Sequence, residues 1–353
     1  MIINLFSPGN LDPADSYGLI ACRLAEQLAG MGHYINALPL GSRIIEGQSP
    51  LMREIALHPI HTTFGGIYLG WPTTYADHSS IGHHGPRIAV SMFETTKIPD
   101  GWAEIFNGFN AVIVPSSFCK EVFERCGVEV PIHVIPLGIN DIYQPVPRNG
   151  DSPFTFLAFL DRGRRKGYVH AIRSFLMAFG DSTDVRLILK SRNVKLPLEF
   201  VNPNVEVIHH DLSEKELYAL YLKCHCLINP HKGEGFGLIP REFAASGGIA
   251  LTTAWSGTAD RIGMWGFPLP FWIVPTNPDD MGVKSLEGQE IGEWAQPDDT
   301  GIAKTLLEVV QYRGAYNTIA YQRGKWARAF YSWRSFAEGV FEVWKEIADG
   351  NGN

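Results

Sequence analysis

The sequence predicts an α/β protein of two Rossmann-like halves, and three observations carry that prediction. Short apolar stretches of strand length alternate with amphipathic helical stretches, the pattern of parallel sheets wrapped by helices. At 353 residues the chain exceeds one ordinary core and suits two domains. A turn-rich stretch, "DIYQPVPRNGDSP" at 141–153, stands near the middle as a linker.

In the first half, residues 2–6 read as a strand and 7–16 as the loop that follows it. Ile20, Leu24, Leu28 and Met31 then repeat at helical spacing until Gly32 stops them. Further strands are predicted at 67–69, 87–92, 111–114 and 133–135, with a helix over 117–126 ended by Gly127. The second half places strands at 154–159, 185–190, 205–208, 226–229 and 249–252, and a helix over 168–179. Another helix starts at Ser213, which makes a capping box with Glu216. Phe336, Val340, Phe341, Val343, Trp344 and Ile347 line one side of a final amphipathic helix over 333–347.

Composition narrows the function. Hydrophobic residues at 45% against 19% charged exclude a disordered chain. A formal charge of −7 leaves nucleic acid to be held only by a local patch. Five scattered cysteines without C-x-x-C predict neither a disulfide framework nor a zinc site, and imply a reducing, cytoplasmic setting. The opening residues lack a basic n-region and a long apolar core, and no apolar stretch reaches membrane-spanning length. Any membrane contact is therefore expected to be peripheral.

Two loops concentrate the chemistry. In "HKGEGFGLIPREFAASGG", residues 231–248, a glycine run enters a helix, and backbone N–H groups at such an entry suit an anion. Proline is tolerated at a first helical position, so Pro240 predicts a helix start near Ile239 with Glu242 in its first turn. In "FLDRGRRKGYVHAI", residues 159–172, Arg162, Arg164, Arg165 and Lys166 crowd a strand-to-helix loop, where open α/β sheets bind ligands. Alone, such a glycine loop is more often a tight turn and such a basic cluster a solvated face. Together, at strand ends of one half, they predict a nucleotide sugar. The N–H groups and cations face its diphosphate, and Glu234 and Glu242 accept from hydroxyls on either side.

These residues also carry a family resemblance. "GEGFGLIPREFAASGGIALTT" resembles the E-x7-E segment of retaining glycosyltransferases of family 4, and "FLDRGRRKG" looks like that family's G-R…K-G diphosphate loop. "AVIVPSSFCKEVFERCGVEVPIHVIPLGIN" is similar to the end of its first domain, and "WSGTAD" with "GEWAQPDD" to a subgroup. The resemblance implies the GT-B fold, two facing Rossmann-like domains with an interdomain cleft. It assigns 1–145 to an acceptor domain, 146–330 to a donor domain, and 331–353 to a helix packing back toward the first.

The implied reaction transfers a sugar, with retention, from a nucleotide-diphosphate sugar carrying UDP or GDP to an acceptor hydroxyl of a glycan, lipid-linked glycan or metabolite. No cofactor beyond that donor is implied. Arg162 and Lys166 would contact the diphosphate, Glu234 hydroxyls of the transferred sugar, and Glu242 the ribose. The N–H groups of Phe236, Gly237 and Leu238 would complete the phosphate cradle, and Gly18 would approach the donor from the first domain. Asp161 stands where the family has glycine, and the Arg162 to Lys166 spacing is short, so Arg164 or Arg165 can take over either role. Without a D-x-D triplet, metal independence is expected.

The acceptor leaves less trace. "GHHGPRIAVSMFETTKIPDGW" places His83, His84, Glu94, Thr95 and Lys97 around a strand end. Glu94, Thr95 and His84 are candidates for acceptor contacts, while the bland reading makes them loop residues and a turn cap. A second reading, transfer to modified DNA bases, requires a phosphate-tracking basic groove and is disfavoured by the acidic balance. A third, a nicotinamide-dependent oxidoreductase, requires G-x-G-x-x-G after the first strand, where "SPGNLDPADSYG" stands instead.

Overall fold

A computed structural model describes residues 1–59, 64–75, 84–148, 153–160, 164–191 and 196–350. Contacts divide the chain into two compact units, each built on one six-stranded sheet whose strands are all parallel.

The first unit comprises Met1–Phe93, Ile98–Gly138 and the chain from Tyr331 on. In order it holds β1 (Ile2–Ser7), α1 (Ser16–Gly30), β2 (Tyr34–Pro39), α2 (Pro50–Ala56), β3 (Phe64–Leu69), β4 (His84–Val90), α3 (Trp102–Phe106), β5 (Ala111–Val114), α4 (Ser117–Arg125) and β6 (Ile132–Val134). The strand order is β2-β1-β3-β4-β5-β6. Ile3, Leu5, Ile35, Ala37, Ile67, Ile88, Val112 and Ile113 are fully buried, as expected where helices cover a parallel sheet.

The second unit, Glu94–Lys97 with Ile139–Phe330, opens with β7 (Phe154–Leu160), α5 (Tyr168–Phe179), β8 (Val185–Ser191), β9 (Val205–Ile208) and α6 (Glu214–Lys223). Then come β10 (Cys226–Asn229), α7 (Leu238–Ala245), β11 (Ile249–Thr253), α8 (Ile262–Trp265) and β12 (Phe267–Leu269). An antiparallel pair, β13 (Phe271–Pro275) with β14 (Glu293–Pro297), precedes α9 (Asp299–Gln311) and α10 (Arg313–Phe330). The last helix, α11 (Trp333–Gly350), packs on α1 and β4 in the first unit. Among the described residues no helix is long and apolar enough to cross a membrane.

The order of the second sheet, β12-β11-β10-β7-β8-β9, positions the site. Chain order runs outward one way from β7 and the other way from β10, so these neighbours form the topological switch point. In open α/β sheets the crevice beyond the carboxyl ends at such a point is where ligands bind. The loop after β7 carries the arginines and Lys166, and the loop after β10 carries the glycine run.

α7 begins at Leu238, earlier than the sequence reading of a start near Ile239. Gly237 caps it at φ 84°, a left-handed conformation that glycine adopts without a Cβ penalty. Pro240 is thus the third helical residue, still among the N–H positions without an intrahelical partner. Glu242 consequently falls in the second turn rather than the first.

Candidate functional site at the β7 and β10 loops

One backbone bond ties the two loops, Lys232 N–H donating to the Arg165 carbonyl at 2.7 Å, and a second, from Ala295 N–H to the Lys232 carbonyl at 2.9 Å, ties the glycine loop to β14. Gly167, at φ 72°, ends the basic turn against Pro230, and a Cβ there would lie 1.8 Å from the Pro230 carbonyl oxygen. The side chains of the 164–166 turn are thereby set directly against the glycine loop.

Lys166 Nζ donates to Glu234 Oε1 at 2.6 Å. Arg165 Nη1 donates to the Gly233 carbonyl at 2.6 Å and stands 3.5 Å from Glu234 Oε2, and its Nη2 is 3.6 Å from Glu94 Oε1. Burial works against the Glu234 charge, but Lys166, Arg165 and His231 outweigh it and hold the carboxyl down at about 2. Burial pushes Glu94 up, Arg165 draws it back, and Glu234 adds to the rise. Its Oε2 is buried with no hydrogen-bond partner among the described residues. One guanidinium is therefore shared between an ionised carboxylate and a carboxyl shifted toward its neutral form.

Behind the loop, Glu234 N–H donates to Ser256 Oγ at 2.9 Å. His231 is fully buried, and burial drives its pKa down to about 3, so the ring is neutral. Its Nε2 is 2.8 Å from Thr258 Oγ1. The single Thr258 hydroxyl proton is directed to backbone carbonyls, 2.6 Å away at Thr253, which assigns the His231 proton to Nε2. Arg241 is fully buried: it donates to the Phe236 carbonyl and, at 2.9 Å, to that of Gly257. Its guanidinium stacks 4.0 Å from the Phe236 ring and 4.4 Å from Trp265.

Glu242 is buried on α7, where Tyr221 OH donates to its Oε2 at 3.3 Å. Burial, and then Glu214, raise its carboxyl to about 7, with the Tyr221 bond opposing. Between pH 4.5 and 7 the unfolded chain has released this proton while the folded protein keeps it, so stability falls as pH rises through that window. Glu242→Gln should accordingly melt above wild type at pH 8, by about 3 kcal/mol, with the gap closing toward pH 4.5. Paired melting curves check this, and a gap that does not vary with pH would rule it out.

The other sequence candidates are distributed as follows. Arg162 and His83 lie outside the described residues, as does the side chain of His84, which opens β4. Phe236, 2% exposed, Gly237 and Leu238 form the entry to α7. Thr95 is buried, its hydroxyl donating to the Lys97 carbonyl at 3.2 Å. Glu94 and Thr95 pack within the second unit, where a Cβ on Gly233 would come 2.0 Å from the Glu94 carbonyl oxygen. Gly18 sits in the first turn of α1 in the first unit, its N–H 3.3 Å from Asp15 Oδ2. Arg241, His231, Tyr221 and Lys232 were not singled out by sequence, because nothing in the local pattern marks their burial or partners.

No family model matches the chain, and no curated protein matches it. Solved structures do. A sucrose-phosphate synthase from Thermosynechococcus elongatus aligns with a TM-score of 0.72 at 15% identity, over 98% of this chain and 99% of that one. The HepE protein of Anabaena, solved with UDP and glucose, aligns at 0.67 and 13% identity, over 98% of this chain and all of that one (100%). A glycosyltransferase from Rickettsia africae aligns at 0.65 and 13%, over 98% of each chain. At these identities the likeness establishes the fold: the chain has the α/β GT-B architecture of those glycosyltransferases.

Proposed function

We propose that this protein is a retaining glycosyltransferase that moves a sugar from a nucleoside-diphosphate donor to an acceptor hydroxyl without a metal ion. One observation carries the reading. At the switch point of the second sheet, Lys166 and Arg165 meet Glu234 beside the glycine-capped start of α7. That pairs diphosphate-binding with hydroxyl-binding groups in one crevice.

The ion pair gives the donor a mode of entry. In the free protein Glu234 neutralises Lys166; an arriving diphosphate takes Lys166, with Arg162, and frees the carboxylate for hydroxyls of the transferred sugar. The N–H groups of Phe236, Gly237 and Leu238 line the phosphate side. Glu242, once ionised, accepts from the ribose diol. On departure the diphosphate charge is met by groups already in place, the electrostatic contribution that usually dominates such steps. The acceptor hydroxyl attacks from the face the diphosphate leaves, with Glu94 and Thr95 as its proposed contacts.

A thermal-shift screen with UDP, GDP and ADP in excess chelator tests this reading. One diphosphate near a hundred times its Kd should stabilise by about 2.7 kcal/mol, a rise of roughly 2–4 °C. Sugar transfer from the matching donor should be undiminished by the chelator. No shift with any diphosphate would sink the donor assignment, and loss of transfer on chelation would sink metal independence.

A further inference from the structure

Lys232 stands outside every role assigned above. It is 8% exposed, and its backbone is bonded on both sides, to Arg165 and to Ala295 of β14, so the start of its side chain is fixed. Its ammonium lies 4.8 Å over the ring of Trp294, itself buried in β14. Among the described residues it makes no hydrogen bond and no ion pair. Arg164, Asp280 and Asp299 act on it only through space, and burial lowers its pKa. Arg164 is paired at 3.6 Å with Asp280, and Asp299 at 2.6 Å with His170. Both nearby carboxylates are thus engaged elsewhere.

Among the described residues the neighbouring cations are engaged too: Lys166 with Glu234, and Arg165 with the Gly233 carbonyl and two carboxylates. An ammonium has three donors, and none of these meets an acceptor among the described residues. Such a group persists where a ligand supplies the missing acceptor. The adjoining turn enters α5, a helix of 12 residues whose cap, Gly167, provides no side-chain hydrogen bond. A positive helix end and an unpartnered ammonium therefore flank the same turn.

We propose that Lys232 binds an oxyanion of the ligand, phosphate or carboxylate, beside the 164–167 turn. The inference rests on the donor reading in one respect: the leaving diphosphate is the first source of such a group. An anionic substituent on the sugar or the acceptor is the second. Lys232 is then a binding residue, and Trp294 holds its ammonium ready.

Lys232→Met, Lys232→Gln and Lys232→Arg in the full chain provide the test. Affinities for the preferred nucleoside diphosphate, its nucleoside, inorganic pyrophosphate and citrate are measured by calorimetry, alongside melting curves without ligand. The Met and Gln variants should bind the nucleoside diphosphate and pyrophosphate at least fivefold more weakly, and the nucleoside as wild type does, while Lys232→Arg retains most of the affinity. Without ligand, Lys232→Met should melt at or near the wild-type temperature, because no hydrogen bond or ion pair of the folded chain is lost.

Weakened citrate binding with the diphosphate unaffected would support the oxyanion site and assign it to the second source. Should wild type bind no nucleoside diphosphate, the donor reading fails, and the pyrophosphate and citrate measurements still decide the role of Lys232. Affinities for all the anions within twofold of wild type in both Met and Gln variants would overturn the proposal. So would a drop of several degrees in melting temperature in both without loss of anion affinity, which is the mark of a structural lysine.

Discussion

Lys166→Ala is expected to lower turnover with a nucleotide-sugar donor by about a hundredfold or more, the usual consequence of removing one preorganised donor from a developing negative charge. The variant should still fold. Lys166 is a quarter exposed, and Arg165 stays within 3.5 Å of Glu234 to hold that carboxylate ionised. Measuring kcat and KM together with the melting temperature separates chemistry from folding, and the loss should fall mainly on kcat. Arg162→Ala should behave alike. If both variants turned over within a few-fold of wild type, the diphosphate assignment would be wrong.

Glu234→Gln is expected to damage stability and turnover at once. Removing one partner of a buried ion pair costs about 3–5 kcal/mol, here because Lys166 and Arg165 lose the charge they surround. The stability supplied by Glu234 is fully present above the ordinary carboxyl pKa of 4.5 and disappears as pH falls through about 2. The melting gap between wild type and variant should therefore narrow from pH 7 to pH 3. Lys166→Met combined with Glu234→Gln should cost less stability than the two single changes added together, since the second change removes a charge already stranded by the first. Strict additivity would show that the 2.6 Å contact contributes little.

Much of the second sheet was legible because strands buried on both faces read as unbroken apolar runs, "FTFLAFL" of β7 being the clearest. β2 is hidden in the sequence because Asn36 interrupts "YINALP"; in the fold its amide nitrogen donates to Asn4 Oδ1 at 2.7 Å, a partner 32 residues away. α10 was passed over for a different reason. Its buried face is Asn317, Ala320, Gly324 and Ala327, small residues at helical spacing but without apolar bulk. They allow close packing on α7, where a Cβ on Gly324 would lie 2.5 Å from the Ala244 carbonyl oxygen.

The site divides similarly. Glycines, carboxylates and cations at strand ends announce themselves by type and place, whereas their pairing does not. That Arg165 rather than solvent would take the Gly233 carbonyl depends on the register of two strands at the switch point. Full burial of Arg241 depends on Trp265, in a helix some twenty residues beyond it. The early start of α7 turned on the backbone conformation of Gly237, which residue type permits without requiring.

The Arg241 clamp has a thermodynamic consequence for recognition. Guanidinium bonds to the Phe236 and Gly257 carbonyls immobilise the turn ahead of α7 when the chain folds, so its loss of conformational freedom belongs to folding and not to association. A ligand bound beside this turn would find it already ordered, and its affinity would not be reduced by the entropy of ordering that segment.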